Sequence, residues 1–250
     1  MLRRLLTIAA LAAALAAPLP ADAGTLDPHY HEPAVGECRN LTSDQLGKQS
    51  DTTAPIDCGS RHTTKIVAVP QIPDGETWAT MKANNWAKLG KLYETQCRPA
   101  WETLLGVNDR AQAMTAYGLA WFMPTVAERN AGARWFRCDV YVPAGSSALT
   151  PLKYDAAPLV PDPLTNFVRK CMKGKDFAYT SCNARHAWRA KGSFNLRKQK
   201  TYPTDKQIRR QALAKCPALV TTGTFAWAPP TKSRWKYGYR AMACFNKTKH

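Results

Sequence analysis

The sequence predicts an α+β fold: two tandem copies of a small disulfide-stabilised module, each ordered β-β-α-β-β with its helix on one face of an antiparallel sheet. Three observations carry this expectation. Trp121-x-x-Pro124-Thr125, Gly132-x-Arg134 and Cys138 recur without a gap as Trp227-x-x-Pro230-Thr231, Gly238-x-Arg240 and Cys244. The register continues upstream: Cys97-Arg98-Pro99-Ala100 against Cys216-Pro217-Ala218, Cys58-x-x-x-His62 against Cys182-x-x-x-His186, and Val35-x-x-Cys38 against Val168-x-x-Cys171. Finally, length varies between these anchors and not within them. Cys38 to Cys58 spans 20 positions and Cys171 to Cys182 spans 11, as expected when anchors sit on packed elements and insertions on surface loops.

Taken in order, residues 1–23 read as a secretory signal peptide. Arg3 and Arg4 form a basic start, Leu5 to Ala17 an Ala/Leu-rich run, and Ala21-Asp22-Ala23 a small-residue cleavage site. The expected mature protein is secreted and extracytoplasmic. The first module covers 24–142. Val35 to Leu41 predicts a short strand, and the β-branched run Thr63 to Val69 a second. Thr77 to Leu105 is helical by the spacing of Trp86, Leu89, Leu92 and Tyr93; Pro99 should end or kink it, and Gly106 is its stop. Met114 to Met123 and Arg134 to Val142 predict the last two strands, joined by a loop carrying Asn130 and Gly132.

Residues 143–163 read as a linker, because five prolines with Gly145, Ser146 and Ser147 resist strand and helix alike. The second module, 164–250, repeats the order with tighter loops. Its helix is expected over Thr204 to Leu219, capped by Thr204 or Asp205.

Eight cysteines, all after the leader, suit an oxidising compartment. If each module closes on itself, each has three possible pairings. The preferred set is Cys38–Cys58, Cys97–Cys138, Cys171–Cys182 and Cys216–Cys244, because the length differences then fall inside the closed loops.

Charge is distributed unevenly. Residues 24–152 hold 12 Lys+Arg and 13 Asp+Glu; residues 153–250 hold 21 and 4, so the second module is strongly basic. Lys170, Lys173 and Lys175 form one cluster. The anion-binding candidates are Arg185, Arg189, Lys191, Arg197, Lys198, Lys200, Lys206, Arg209 and Arg210, with Tyr179, Trp188, Phe194 and Tyr202 among them. Such a field attracts polyanions. For an exported chain these are anionic cell-wall polymers or an anionic membrane surface, and no specific nucleic acid.

No chemistry announces itself. There is no Gly-x-Ser-x-Gly elbow, no His-Glu-x-x-His and no phosphate loop. Paired cysteines leave no nucleophilic thiol, and the acid-poor second module excludes a repeated carboxylate pair. Cys-x-x-x-His suggests zinc, but the even cysteine count favours disulfides, so neither metal nor cofactor is expected, at His29-Tyr30-His31 and His250 no more than elsewhere. The repeat-motif residues divide by type. His62 and His186 read as structural groups beside a disulfide. Arg134 and Arg240 read as ion-pair or carbonyl donors. Trp121 and Trp227 read as packing on the module's own bridge or helix, with sugar stacking as their functional alternative.

Val-Gly-Glu-Cys38, then Asp-Cys58-Gly-Ser-Arg-His62-Thr-Thr-Lys-Ile-Val, a helix with a central Cys97 and a closing Trp-Phe-Arg-Cys138-Asp-Val together resemble the septum formation domain of exported and membrane-anchored actinobacterial proteins. The resemblance covers Val35 to Val142. The second module matches as a more divergent copy at Cys171, Cys182, His186, Cys216 and Cys244. It implies a role at the cell envelope linked to division septa. The sequence therefore predicts a secreted, non-catalytic envelope protein whose basic module binds anionic polymer or membrane. The alternatives are an envelope enzyme with an unrecognised active site and a purely structural wall protein.

Overall fold

The computed structural model describes residues 26–248 apart from 155 and 175; the predicted leader, Lys175 and His250 lie outside the described residues. The first half runs β1 (Cys38–Arg39), α1 (Ser43–Leu46), β2 (Thr64–Ala68), α2 (Trp78–Leu92), a π turn at Tyr93–Cys97, α3 (Arg98–Leu105), α4 (Asp109–Ala113), β3 (Gly118–Phe122), α5 (Val126–Asn130), β4 (Arg137–Pro143) and β5 (Leu149–Thr150). Its strands order as β1-β2-β4-β3, with β5 on β4. The second half runs β6 (Lys170–Met172), β7 (Tyr179–Ser181), β8 (Trp188–Asn195), α6 (Asp205–Lys215), β9 (Phe225–Ala228), α7 (Lys232–Lys236) and β10 (Ala241–Lys247), and orders as β7-β6-β8-β10-β9. Every pairing is antiparallel.

The sequence anchors occupy equivalent places. Trp121 faces Cys138 across β3 and β4, and Trp227 faces Cys244 across β9 and β10. Opposite each of these cysteines the partner strand carries a bulge, with Val67 extra in β2 and Lys191 extra in β8. The bridges join Cys38–Cys58, Cys97–Cys138, Cys171–Cys182 and Cys216–Cys244. The second and fourth staple the end of a helix to an inner strand of its sheet, β4 or β10, and all four of their cysteines are fully buried.

Three local expectations change. Pro99 does not end its helix: the π turn just before it widens the coil, and Pro99 enters the first turn of α3, where a missing N–H costs nothing. Gly106 does stop that helix, at φ 69°, and a Cβ there would come within 2.6 Å of Pro158 Cβ. The loop with Asn130 contains α5, whose capping box is Thr125 with Glu128; α7 is capped by Thr231, whose side chain accepts from Arg234 N–H. The start of the predicted third strand belongs instead to the end of α4, which Asn108 caps.

Residues 143–163 are not a tether. Prolines prevent a long ladder but leave side chains free to pack, and Leu152, Leu159 and Val160 are buried in the first core beside Leu105, Val140 and Val168. Leu159 N–H donates to Leu104 O, and Tyr117 donates its hydroxyl to Leu159 O at 3.0 Å. The halves also interlock. Ala116 N–H donates to Val168 O and Lys170 N–H to Met114 O, while Gly145 N–H donates to Tyr179 O. Ala113 of α4 enters the core cluster of Met172, Ala190 and Phe245. Arg234 places its guanidinium over Tyr239 at 3.4 Å and Trp101 at 5.6 Å while donating to Gln112 Oε1, and Ser233 donates to Glu94 Oε1 at 2.8 Å.

Candidate functional site

Each sheet has a helix-covered face and a second face, and the halves differ on the second. Strand alternation sends Cys138 and Val140 towards the helices and Arg137 and Asp139 the other way. There residues 40–56 close over them. Met123 N–H donates to Gln49 O, Ser50 donates to Pro124 O, and Asp51 accepts from Arg137. At the positions of Arg137 and Asp139 the second half has Ala243 and Phe245, and its Cys171–Cys182 loop is nearly half as long. That face is left partly open as an apolar cleft of about 490 Å³, lined by Met172, Phe177, Tyr179, Trp188, Trp227 and Pro229.

Trp227 and Pro229 also line a second cleft, of about 550 Å³, with Tyr202, Ile208, Lys206 and Arg209 of the α6 side, and Asp205. Strand β9 lies between the two clefts as the free edge of its sheet. On α6, Lys206, Arg209 and Arg210 are exposed and share one side by their three- and four-residue spacing. Arg197, Lys198 and Lys200 are exposed on the segment before α6. Arg197 N–H donates to Gln211 Oε1 at 2.8 Å, which brings this second cluster against the helix. Arg185 and Arg189 line a separate cleft with Asn166 and His186, and Arg189 donates to Asn166 Oδ1 at 2.6 Å. Lys191 is exposed at the bulge.

Among the described residues none of these nine cations forms an ion pair; every ion pair there lies in the first half. Lys170 is different. Burial, and then the nearby Arg234 charge, push its ammonium down to about 7, and its Nζ lies 5.1 Å from the Tyr179 ring.

The repeated histidines and arginines bond to backbone carbonyls of their own halves. His62 and His186 are buried beside their bridges, and each ring Nδ1 bonds the carbonyl two residues back, Ser60 at 2.8 Å and Ala184 at 2.7 Å. Cys171, Cys182 and His186 place their ligand atoms within 4.8 Å of one another, but the two sulfurs are bonded together and are not thiolates. Arg134 donates to the carbonyls of Ile72, Pro73 and Glu76, and Arg240 to those of Trp235 and Tyr239. His29 and His31 pair with Glu32 and Glu128. No described helix is long and apolar enough to cross a membrane.

Sequence reasoning missed the charge cluster under residues 40–56. Arg137 is 2% exposed and bonded to both Asp51 and Asp139, and Arg39 pairs with Glu37. Three acids thus meet two arginines, and Asp139 is the surplus one. Burial pushes its carboxyl up to about 6 against the pull of Arg137. Burial also pushes Asp51 up, but hydrogen bonds from Thr53 and Arg137 outweigh this and hold it below its ordinary value.

A raised acid pKa means that the native state holds its proton more tightly than the unfolded chain. Stability therefore falls as pH rises from the unfolded value, 3.8, through about 6, and stays lower above it. Asp139→Asn is expected to remove this slope and to raise the melting temperature at pH 8 while changing it little at pH 4.5. Calorimetry at both pH values checks it. A variant less stable at pH 8 would show that the ionised carboxylate is favoured there.

Comparison of the sequence with known families gives a match. No curated protein and no solved structure matches the chain. The family described as septum formation matches residues 35–244, a span that takes in both halves and the segment between them. That family suggests a protein of the cell envelope and of cell division, and four disulfides are consistent with an extracytoplasmic place. The chain belongs to the septum formation family.

Proposed function

We propose that this is a non-catalytic, secreted protein of the cell envelope that binds anionic wall polymer through its second half. The carrying observation is the set of nine cations on that half that have no ion-pair partner among the described residues, six of them gathered on α6 and the segment before it. An acid-poor surface of this kind holds polyanions by summed charge, and such binding is screened over about 8 Å at physiological ionic strength. The first half, near neutral, acts as the rigid base to which the basic half is fixed.

Because the halves interlock, the test uses the whole mature chain. Lys198, Lys200, Arg209 and Arg210, all exposed, are changed together to Glu, and binding to a polyanionic wall polymer and to anionic vesicles is titrated at two salt concentrations. The expected result is binding to the polymer that weakens steeply with salt and falls by at least about tenfold in the variant, which costs little stability because the side chains are solvated. Binding indifferent to salt, or an unaffected variant, overturns the proposal. Binding to vesicles alone replaces the polymer by a membrane surface.

A further inference from the structure

We propose that the β9 edge of the second sheet is a subsite for the sugar rings of an anionic polysaccharide, with the two clefts on either side of Trp227 and Pro229 taking successive residues of one chain. The proposal rests on the polyanion-binding reading above and gives it a ligand class.

The aromatic groups here are unusually open. Phe177 is 49% and Tyr179 42% exposed, and Trp188, Phe225 and Trp227 are each half-buried. For Tyr179 and Trp188 the exposure has a structural cause, since the corresponding face of the first half lies under residues 40–56, whereas Phe225 and Trp227 stand on the edge strand towards the α6 side. Phe177 stands in the short Cys171–Cys182 loop with φ 52°, a left-handed backbone that phenylalanine rarely adopts, and its ring lies 5.9 Å from Trp188. A ring face carries negative charge density and attracts the polarised C–H groups of a sugar, whose polar edge stays in water.

The charge across the ridge then decides the occupant. From Trp227 the second cleft continues to Lys206 and Arg209, both exposed and, among the described residues, without ion-pair partners, with Asp205 beside them in its lining. A neutral glycan would use the aromatic cleft and leave these cations idle. A polyphosphate would use the cations and leave the aromatic cleft empty. A polymer of sugar rings bearing carboxylates or phosphodiesters uses both. The unpaired edge of β9 also fits an extended peptide, but the uncompensated cations favour an acidic ligand with flat apolar faces.

The mature chain is titrated with polygalacturonate, with inorganic polyphosphate and with poly-glutamate, for Trp227→Ala and Phe177→Asn. Trp227 contributes to the second core, so Phe177→Asn is the safeguard: its side chain is exposed, and asparagine tolerates the left-handed backbone. Both variants are expected to weaken polygalacturonate binding by about tenfold, as the loss of an aromatic platform does, and to leave polyphosphate binding within about twofold. Equal affinity of the native chain for the two polymers, with polysaccharide binding unchanged in Phe177→Asn, overturns the subsite while the polyanion reading stands. Failure of both polymers to bind overturns that reading itself. Poly-glutamate bound as tightly as polygalacturonate, and lost in Trp227→Ala, overturns the subsite in favour of peptide docking at the strand edge.

Discussion

Asp51→Ala is expected to cost about 3–5 kcal/mol, because it strips the charge partner from a guanidinium that has no other route to water. Arg137 is 2% exposed, and the other carboxylate bonded to it among the described residues, Asp139, is itself disfavoured as an anion by its burial. Removing Asp51 also frees residues 40–56, whose hold on the sheet includes the Arg137 contact, and so opens the face they cover. At roughly 2–4 °C per kcal/mol for a chain of this size, the melting temperature should fall by about 10 °C. Asp74→Ala, an exposed carboxylate, is the control and should stay within about 0.5 kcal/mol. A loss below about 1 kcal/mol for Asp51→Ala would mean that the cluster rearranges around the gap and that the loop is held by its backbone contacts.

The second large effect concerns the bridge between Cys216 and Cys244. It closes a sequence separation of 28 and pins the end of α6 to the middle of the basic half's sheet. Replacing both cysteines by alanine restores chain freedom to the unfolded state worth about 3–4 kcal/mol, and the small core of Phe194, Ile208, Ala212 and Met242 has little in reserve. The expected result is a large drop in the denaturation midpoint, with loss of polymer binding, since the clusters on α6 and before it depend on the docked helix. The double variant keeping native stability would show that packing alone holds α6.

Much of this was legible in the sequence because the repeated anchors constrain one another. Trp121 with Cys138 and Trp227 with Cys244 mark paired strands, and the helix starts at Thr77 and Thr204 are local signals; the caps at Thr125 and Thr231 open helices of only five residues and were missed. Contrary to expectation, the prolines between 143 and 163 do not exclude a strand, since β5 (Leu149–Thr150) pairs there with β4, and they say nothing about whether Leu152, Leu159 and Val160 find a core. The Arg137–Asp51 contact joins residues 86 positions apart, so no window of sequence contains it. Charged residues flanking Cys138 in a strand look like a solvent face until the covering loop is seen. The aromatic edge was half legible: Tyr179 and Trp188 stood out among the lysines, but their meeting with Trp227 depends on strand order.

The interlocked halves have a mechanical consequence. If the basic half grips a wall polymer as proposed, it is pulled upon, and a flexible tether between 143 and 163 would let that half swing free under the pull. Here the pull meets backbone hydrogen bonds at two separated places, Met114–Lys170 with Ala116–Val168, and Gly145–Tyr179. The Arg234 stack on Trp101 and Tyr239 and the buried Leu159 add side-chain contacts to these. Drawing the halves apart requires these contacts to fail together, not in turn, which is how a short stretch of protein resists tension along a taut polymer.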